Sequence, residues 1–419
     1  MEKVLSSHVG LKINEWYYHI QRFNVPDAEA YKEEIKSMLD HMEENQDLLL
    51  YFSLMEFRHK LMLDYLNPLE NGKERANFRE LAMKIKRDQE KLTGLLEYYF
   101  NFFYGMYEFE NYEYLNAITF YKRAEKKLSL VSDDIERAEF NYKMAEIYYH
   151  MKQTHMSMHH IAQAIECYRE KDTYTVREIQ CSFVIGLNYI DMGCPEKAIP
   201  HFQHALEKAA DNSTKRLKGS ALYNLGLSYF HNKELAQAIT HFNDSIRAFK
   251  EQGYEHLNRI LDPLIMLSKA YFKKKEQDLG TYALNNGIEL SEKLKDHILL
   301  LIFKFLRSLY IDNNFEQLEK IMELLEVKSM YPDLEDLAKD AAKYYNEMGD
   351  KDNAMHFYEK ILYFQTQVKR GTVSMKFKTL SVVFVMISVI SVVSYFTSEV
   401  TASHDEARRG HTASIGYTA

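Results

Sequence analysis

The chain has 419 residues and a net charge of −8, room for two or three domains at roughly 150 residues each. The acidic balance argues against direct nucleic-acid binding, whose footprint is usually a basic patch, and suits partners with a basic surface. Six prolines and fifteen glycines are too few for a fold punctuated by turns, so long helices are favoured. The 31 tyrosines suggest aromatic packing between them. Cys167, Cys181 and Cys194 lack CxxC spacing and read as buried structural thiols of a reducing compartment. The opening MEKVLSSHVGLKINEWYYHI has no uninterrupted apolar core. It does not read as a secretory signal, and residues 1–366 are placed in the cytoplasm.

In chain order, the pattern is helical from Pro26 to Leu66. PDAEAYKEEIKSMLDHM opens with a proline and two acids, good first-turn residues. NQDLLLYFSLMEFRHKLMLDYL predicts a second, more apolar helix with Asn45 as its N-cap. Pro68 and Gly72 then break the pattern. The expected organisation is all-α: an N-terminal helical bundle over 1–67, a linker over 68–76, and a repeat domain over 77–366.

The repeat shows in FVIGLNYIDMGCPEKAIPHFQHAL and YNLGLSYFHNKELAQAITHFNDSI. Gly186, Tyr189, Ala198, Phe202 and Ala205 align with Gly226, Tyr229, Ala238, Phe242 and Ser245. This is the tetratricopeptide (TPR) pattern of paired antiparallel helices. Small residues let the helices of a pair approach, and aromatics are expected to fill the space between successive pairs. Weaker copies contain Gly105, Ala117 and Tyr121; Ala145, Tyr148 and Ala164; Tyr271, Gly280 and Gly287; and Tyr345, Ala354 and Tyr358. A divergent copy lies around Phe305–Leu325. An array of about seven repeats makes a superhelix with a concave groove.

Groove-facing positions on the first helix of each pair give Asp191, Asn224, Met266, Lys269 and Tyr149 as candidates. An aspartate can pair with a peptide arginine, and an asparagine amide with a peptide backbone. Spacing alone favours the reading of these positions as solvated surface. His159/His160 and His201/His204 lack a matching carboxylate or cysteine set, so no metal site is expected. In the second helix Gln46, Leu50, Ser53 and Phe57 fall on one stripe, which by pattern is the rim of a packing face.

The runs EWYYHI, EENQDLLLYFSLMEFRHKLMLDYL and AEIYYHMKQTHMSMHHIAQAI, with the repeats around Asp191 and Asn224, resemble the Rap family of bacilli. These are response-regulator aspartate phosphatases and Phr-peptide receptors. The resemblance runs from about residue 5 to about residue 365. It implies that Gln46 enters the active site of a phosphorylated response regulator and orients water onto the aspartyl phosphate. Glu44, Asn45, Leu50 and Phe57 would be contacts to the regulator. The chain needs no cofactor of its own, because Mg²⁺ is held by the regulator and only water has to be positioned. The resemblance also implies peptide anchors at Asp191, reading an arginine, and at Asn224, holding backbone, beside Tyr149 and Met266. Bound peptide would pull the bundle against the repeats and hide the regulator-binding surface. Two other functions stay open: non-enzymatic sequestering of a regulator's DNA-binding domain, and a generic TPR scaffold.

The segment 375–419 resembles a Phr-peptide precursor. MKFKTLSVVFVMISVISVVSYF and the cleavage-like Val400–Ala402 make 375–402 signal-like, and 403–419 carries the tail. Within it Arg408, Arg409, Gly410, His411 and Thr412 have the form of a Phr peptide, with Arg409 as the reading residue. The segment reads as an in-frame fusion of receptor and precursor, as a read-through product, or as a membrane anchor if 380–396 inserts. That stretch is short for a stable span.

Overall fold

The computed structural model describes residues 4–66, 72–87, 89–169, 171–210, 217–251, 258–328 and 330–367. Four helices lead: α1 (Ser6–Gln21), α2 (Val25–Leu39), α3 (Gln46–Leu66) and α4 (Gly72–Arg87). Seven antiparallel pairs follow: α5/α6 (Gly94–Glu110, Tyr114–Glu125), α7/α8 (Asp134–His150, Thr154–Arg169), α9/α10 (Thr175–Asp191, Pro195–Lys208) and α11/α12 (Lys218–His231, Leu235–Glu251) come first. Then come α13/α14 (Leu261–Lys273, Gln277–Leu294), α15/α16 (His297–Tyr310, Phe315–Glu326), and α17 (Tyr331–Glu347) with α18 (351–367). Residues up to Phe364 form one compact unit, and those from Gln365 form a second, of which 365–367 are described. The precursor-like segment 375–419, with Arg408 to Thr412, lies outside the described residues. No helix among the described residues is long and apolar enough to cross a membrane.

Helix starts follow the capping residues in the sequence. Asn45 Oδ1 accepts the Leu48 N–H at 3.1 Å, as its N-cap reading requires. Asp133 does the same for α7 and Asp296 for α15, each satisfying an N–H that has no partner inside the helix. α4 starts at Gly72, inside the expected linker. Its residues are mostly polar, and Pro68 and Gly72 read as breakers in the sequence, although Gly72 opens the helix.

Each pair turns through one residue of positive φ: Tyr112, Lys152, Gly193, Lys233, Lys275, Asn313 and Gly349. At Lys152 the following N–H, from Gln153, reaches back to the Tyr148 carbonyl at 2.8 Å, the hydrogen bond of a Schellman C-cap. Within pairs, an aromatic lies directly over a glycine. A Cβ at Gly186 would meet Phe202 at 2.4 Å, and one at Gly226 would meet Phe242 at 2.5 Å. The aromatic is therefore seated on its own pair rather than only between pairs, although the Phe202 cluster continues into Leu225 of the next. A second repeating contact stacks a tyrosine on a histidine of the paired helix: Tyr148–His160, Tyr189–His201 and Tyr229–His241, with centroids 5.5, 5.6 and 5.2 Å apart. Those histidines serve helix packing. Among the described residues no group of three or more His, Cys, Asp or Glu side chains is placed to hold a metal.

Candidate functional site

Gln46 is the first residue of α3 and is exposed. Its Nε2 donates to Glu44 Oε1 at 3.0 Å, so the amide lies at a helix start beside a carboxylate and open to a partner. Leu50 and Ser53 border a small cleft with Lys84 and Ile85 of α4. Phe57 is 1 % exposed, packed on Tyr104 and Tyr107 of α5 with centroids 6.4 and 5.8 Å away. In this conformation Phe57 is core and not a contact surface, so a partner reaches it only if α3 leaves α5. The burial suits the stripe's reading as a packing face; the contact role is implied by the resemblance, which does not say what packs across the helix here.

Buried polar groups join α1 and α3 to the repeats. On α7, Glu136 accepts from Tyr17, from Gln21 at 2.9 Å and from Tyr98 at 2.9 Å. Burial pushes its carboxyl up to about 7, against the pull of Tyr17 and Tyr98. One turn on, Glu139 takes Arg58 at 3.2 Å, Arg177 Nε at 2.6 Å and Tyr168 at 3.1 Å. Burial opposes its charge, but Arg177 and Arg58 outweigh that and hold the carboxyl below its ordinary value. At the end of α3, Tyr65 receives Gln180 on its hydroxyl at 2.5 Å and Arg259 on its carbonyl at 3.2 Å. Sequence reading missed this network. Its one local signal is that Glu136 and Glu139 lie on a helix whose apolar residues cover every side.

The first helices of successive pairs line a groove of about 2080 Å³, with Tyr149, Asp191 and Met266 in its wall. Asn224 is 5 % exposed, and on α11 the wall is formed by Tyr223, Leu227, Phe230 and His231. The groove thus gathers Tyr149, Asp191, Met266 and Lys269 of the five candidates and leaves Asn224 out of its wall. Charge is sorted along it. Asp262 is exposed in the groove wall yet crowded by protein. That crowding, with Asp296 and Asp333 nearby, pushes its carboxyl up to about 7. Elsewhere Lys269 pairs with Asp340 at 2.6 Å, and burial, with Lys269 and Lys343 close by, lowers the Lys273 ammonium. Burial also raises the Asp191 carboxyl, while Lys152 pulls it down.

A TPR superhelix with a charged inner groove, and a helical module locked to its first pairs, defines a class of peptide-groove regulator. The chain belongs to the Rap family of response regulator aspartate phosphatases. Residues 3–64 match the family described as response regulator aspartate phosphatase H, N terminal, and residues 178–251 and 340–367 match tetratricopeptide repeats. The chain is 46 % identical over 371 residues to response regulator aspartate phosphatase A of Bacillus subtilis (strain 168), covering 88 % of this chain and 97 % of that one. It is 43 % identical over 375 residues to regulatory protein RapF of the same strain, covering 89 % and 98 %. Among solved structures, a Rap protein complexed with competence and sporulation factor superposes with a TM-score of 0.82 at 37 % identity, covering 87 % and 99 %.

Proposed function

We propose that this chain hydrolyses the aspartyl phosphate of a response regulator and is switched off by a short Phr-type peptide in its groove. The observation that carries this reading is the exposed Gln46 amide at the start of α3, in the module that matches the phosphatase family. An aspartyl phosphate is an activated acyl phosphate, and the regulator supplies Mg²⁺. A neutral amide that both donates and accepts can hold water in line for attack, and positioning is most of what such a reaction needs. The peptide arm is supported by Asp191, Tyr149 and Met266 sharing one groove. Non-enzymatic sequestering is the second reading, favoured by the similarity to a relative named simply a regulatory protein.

The test is loss of label from phosphorylated response regulators incubated with the purified chain and Mg²⁺. Gln46→Ala is expected to slow that loss at least about tenfold with the helical content unchanged. The synthetic pentapeptide RRGHT, the sequence of residues 408–412, is expected to inhibit the wild type, and Asp191→Asn to relieve the inhibition. Unchanged phosphate loss in Gln46→Ala removes the role given to Gln46. Tight binding of a regulator without any phosphate loss favours sequestering.

A further inference from the structure

We propose that Lys152 is the groove's internal rival to a ligand cation: its ammonium occupies the carboxylate that a peptide guanidinium must take, and only a cation that meets Asp191 better than Lys152 does displaces it. The inference rests on the reading of Asp191 as a peptide anchor.

Lys152 lies in the turn between α7 and α8 with φ 53°. The turn does not require a lysine, since Gly193 and Gly349 serve at the same place in the third and seventh pairs with φ 75° and 79°. Glycine adopts this conformation freely, whereas an L residue is strained there. What the lysine adds is its side chain. Nζ lies 3.6 Å from Asp191 Oδ1 and 3.7 Å from Asp336 Oδ2, so one ammonium joins the second pair to the seventh across the groove. Burial disfavours that charge, but Asp336 and Asp191 outweigh it and raise the ammonium above its ordinary value.

Neither contact is a good hydrogen bond, because charge-assisted N–H···O bonds close to about 2.7–2.9 Å. The ammonium is a point charge stretched between two acceptors. A guanidinium is a planar fork that meets one carboxylate with two parallel bonds. It can therefore do at Asp191 what Lys152 cannot. A ligand lysine would only repeat the contact already made and would gain little by exchange. On displacement Asp336 keeps Lys339, 3.1 Å away, so exchange leaves neither carboxylate without a cation.

The test is calorimetric titration of the full chain with two synthetic peptides, RRGHT and RKGHT. The proteins are wild type, Lys152→Gly, Lys152→Met and Asp191→Asn. Lys152→Gly suits the turn and removes the ammonium; Lys152→Met removes the charge and keeps the stem. Both are expected to bind RRGHT about fivefold or more tightly than wild type. RKGHT is expected to gain no more than RRGHT, because displacing Lys152 costs either peptide the same and a ligand lysine that fails to displace it gains at most its own weaker contact. Equal or weaker binding of RRGHT by both Lys152 variants, with Asp191→Asn still weakening it, overturns the inference and leaves the peptide reading standing. Binding that ignores Asp191→Asn, or no binding to any of the proteins, removes the peptide reading and this inference with it.

Discussion

Replacing Glu139 by alanine is expected to destabilise the protein by about 3–5 kcal/mol. The carboxylate is 1 % exposed and is bracketed by Arg58 and Arg177, each 3 % exposed. Two guanidiniums share one acidic side chain, and Tyr168 completes its shell at 3.1 Å. Removing that side chain leaves two positive charges in a medium that solvates them poorly. Arg177 retains the faces of Phe23 and Tyr142, 4.7 and 4.9 Å from its guanidinium carbon, and Gln180 at 2.5 Å. None of these is an anion. Thermal melting followed by circular dichroism measures the loss. Replacing the three groups together, as Arg58→Met, Glu139→Leu and Arg177→Met, is expected to recover most of it. An apolar trio of similar volume has no charge to desolvate, and such exchanges are often neutral or stabilising. If Glu139→Ala melts like wild type, water reaches the site and the burial argument is wrong.

The same residues show why parts of this molecule were legible and others not. Gly186 with Phe202, and Gly226 with Phe242, are sixteen residues apart in a helical hairpin, so local spacing reports their contact. Tyr148 and His160, Tyr189 and His201, and Tyr229 and His241 each lie twelve apart and were equally available to a sequence reader who asked what the histidines did. Asp191, Tyr149 and Met266 were placed by repeat position, and the superhelix brings them to one groove. Asn224 follows the same counting but is left out of the wall, because position on a helix fixes direction only to within a side chain or so. Gln46 became a candidate through family resemblance, since its stripe alone spoke for a packing rim. The Glu136 and Glu139 network was out of reach. Its partners, Tyr17, Gln21, Arg58, Tyr98 and Arg177, are scattered along the chain with no fixed interval. Only the fold brings them together.

Glu136 gives the second large effect, and its sign depends on pH. Around it stand Tyr17 and Gln21 from α1, Tyr98 from α5 and, among charged groups, Arg58 from α3 and Glu139 on its own helix. Arg58 is committed to Glu139, so Glu136 holds α1 through neutral donors. Its carboxyl is raised to about 7, against about 4.3 for an exposed glutamate. A carboxyl raised on folding keeps its proton in the folded state longer than in the unfolded one. Its contribution is therefore most favourable at acid pH and is lost as pH climbs from about 4.3 to about 7, a total of about 4 kcal/mol. Glu136→Gln has nothing to titrate. Its carbonyl can accept from Tyr17 and Gln21, and its amide can donate to the Tyr98 hydroxyl, which is able to turn and accept. The variant is expected to match wild type near pH 4.5 and to exceed it by about 4 kcal/mol at pH 8. Trp16 supplies the local probe: it is the chain's one tryptophan, fully buried on α1, donating to His59 Nδ1 at 3.3 Å. Burial, with Lys32 and Arg58 adding to it, lowers His59 to about 4. That residue works in the opposite direction as pH falls, but it does so in both proteins and cancels in their difference. Urea titrations followed by Trp16 emission at several pH values give that difference directly. A gap between variant and wild type that stays constant from pH 4.5 to pH 8 would mean that Glu136 does not change protonation there. α1 would then be held to the repeats by a fixed charge rather than by a carboxyl that gives up its proton near neutrality.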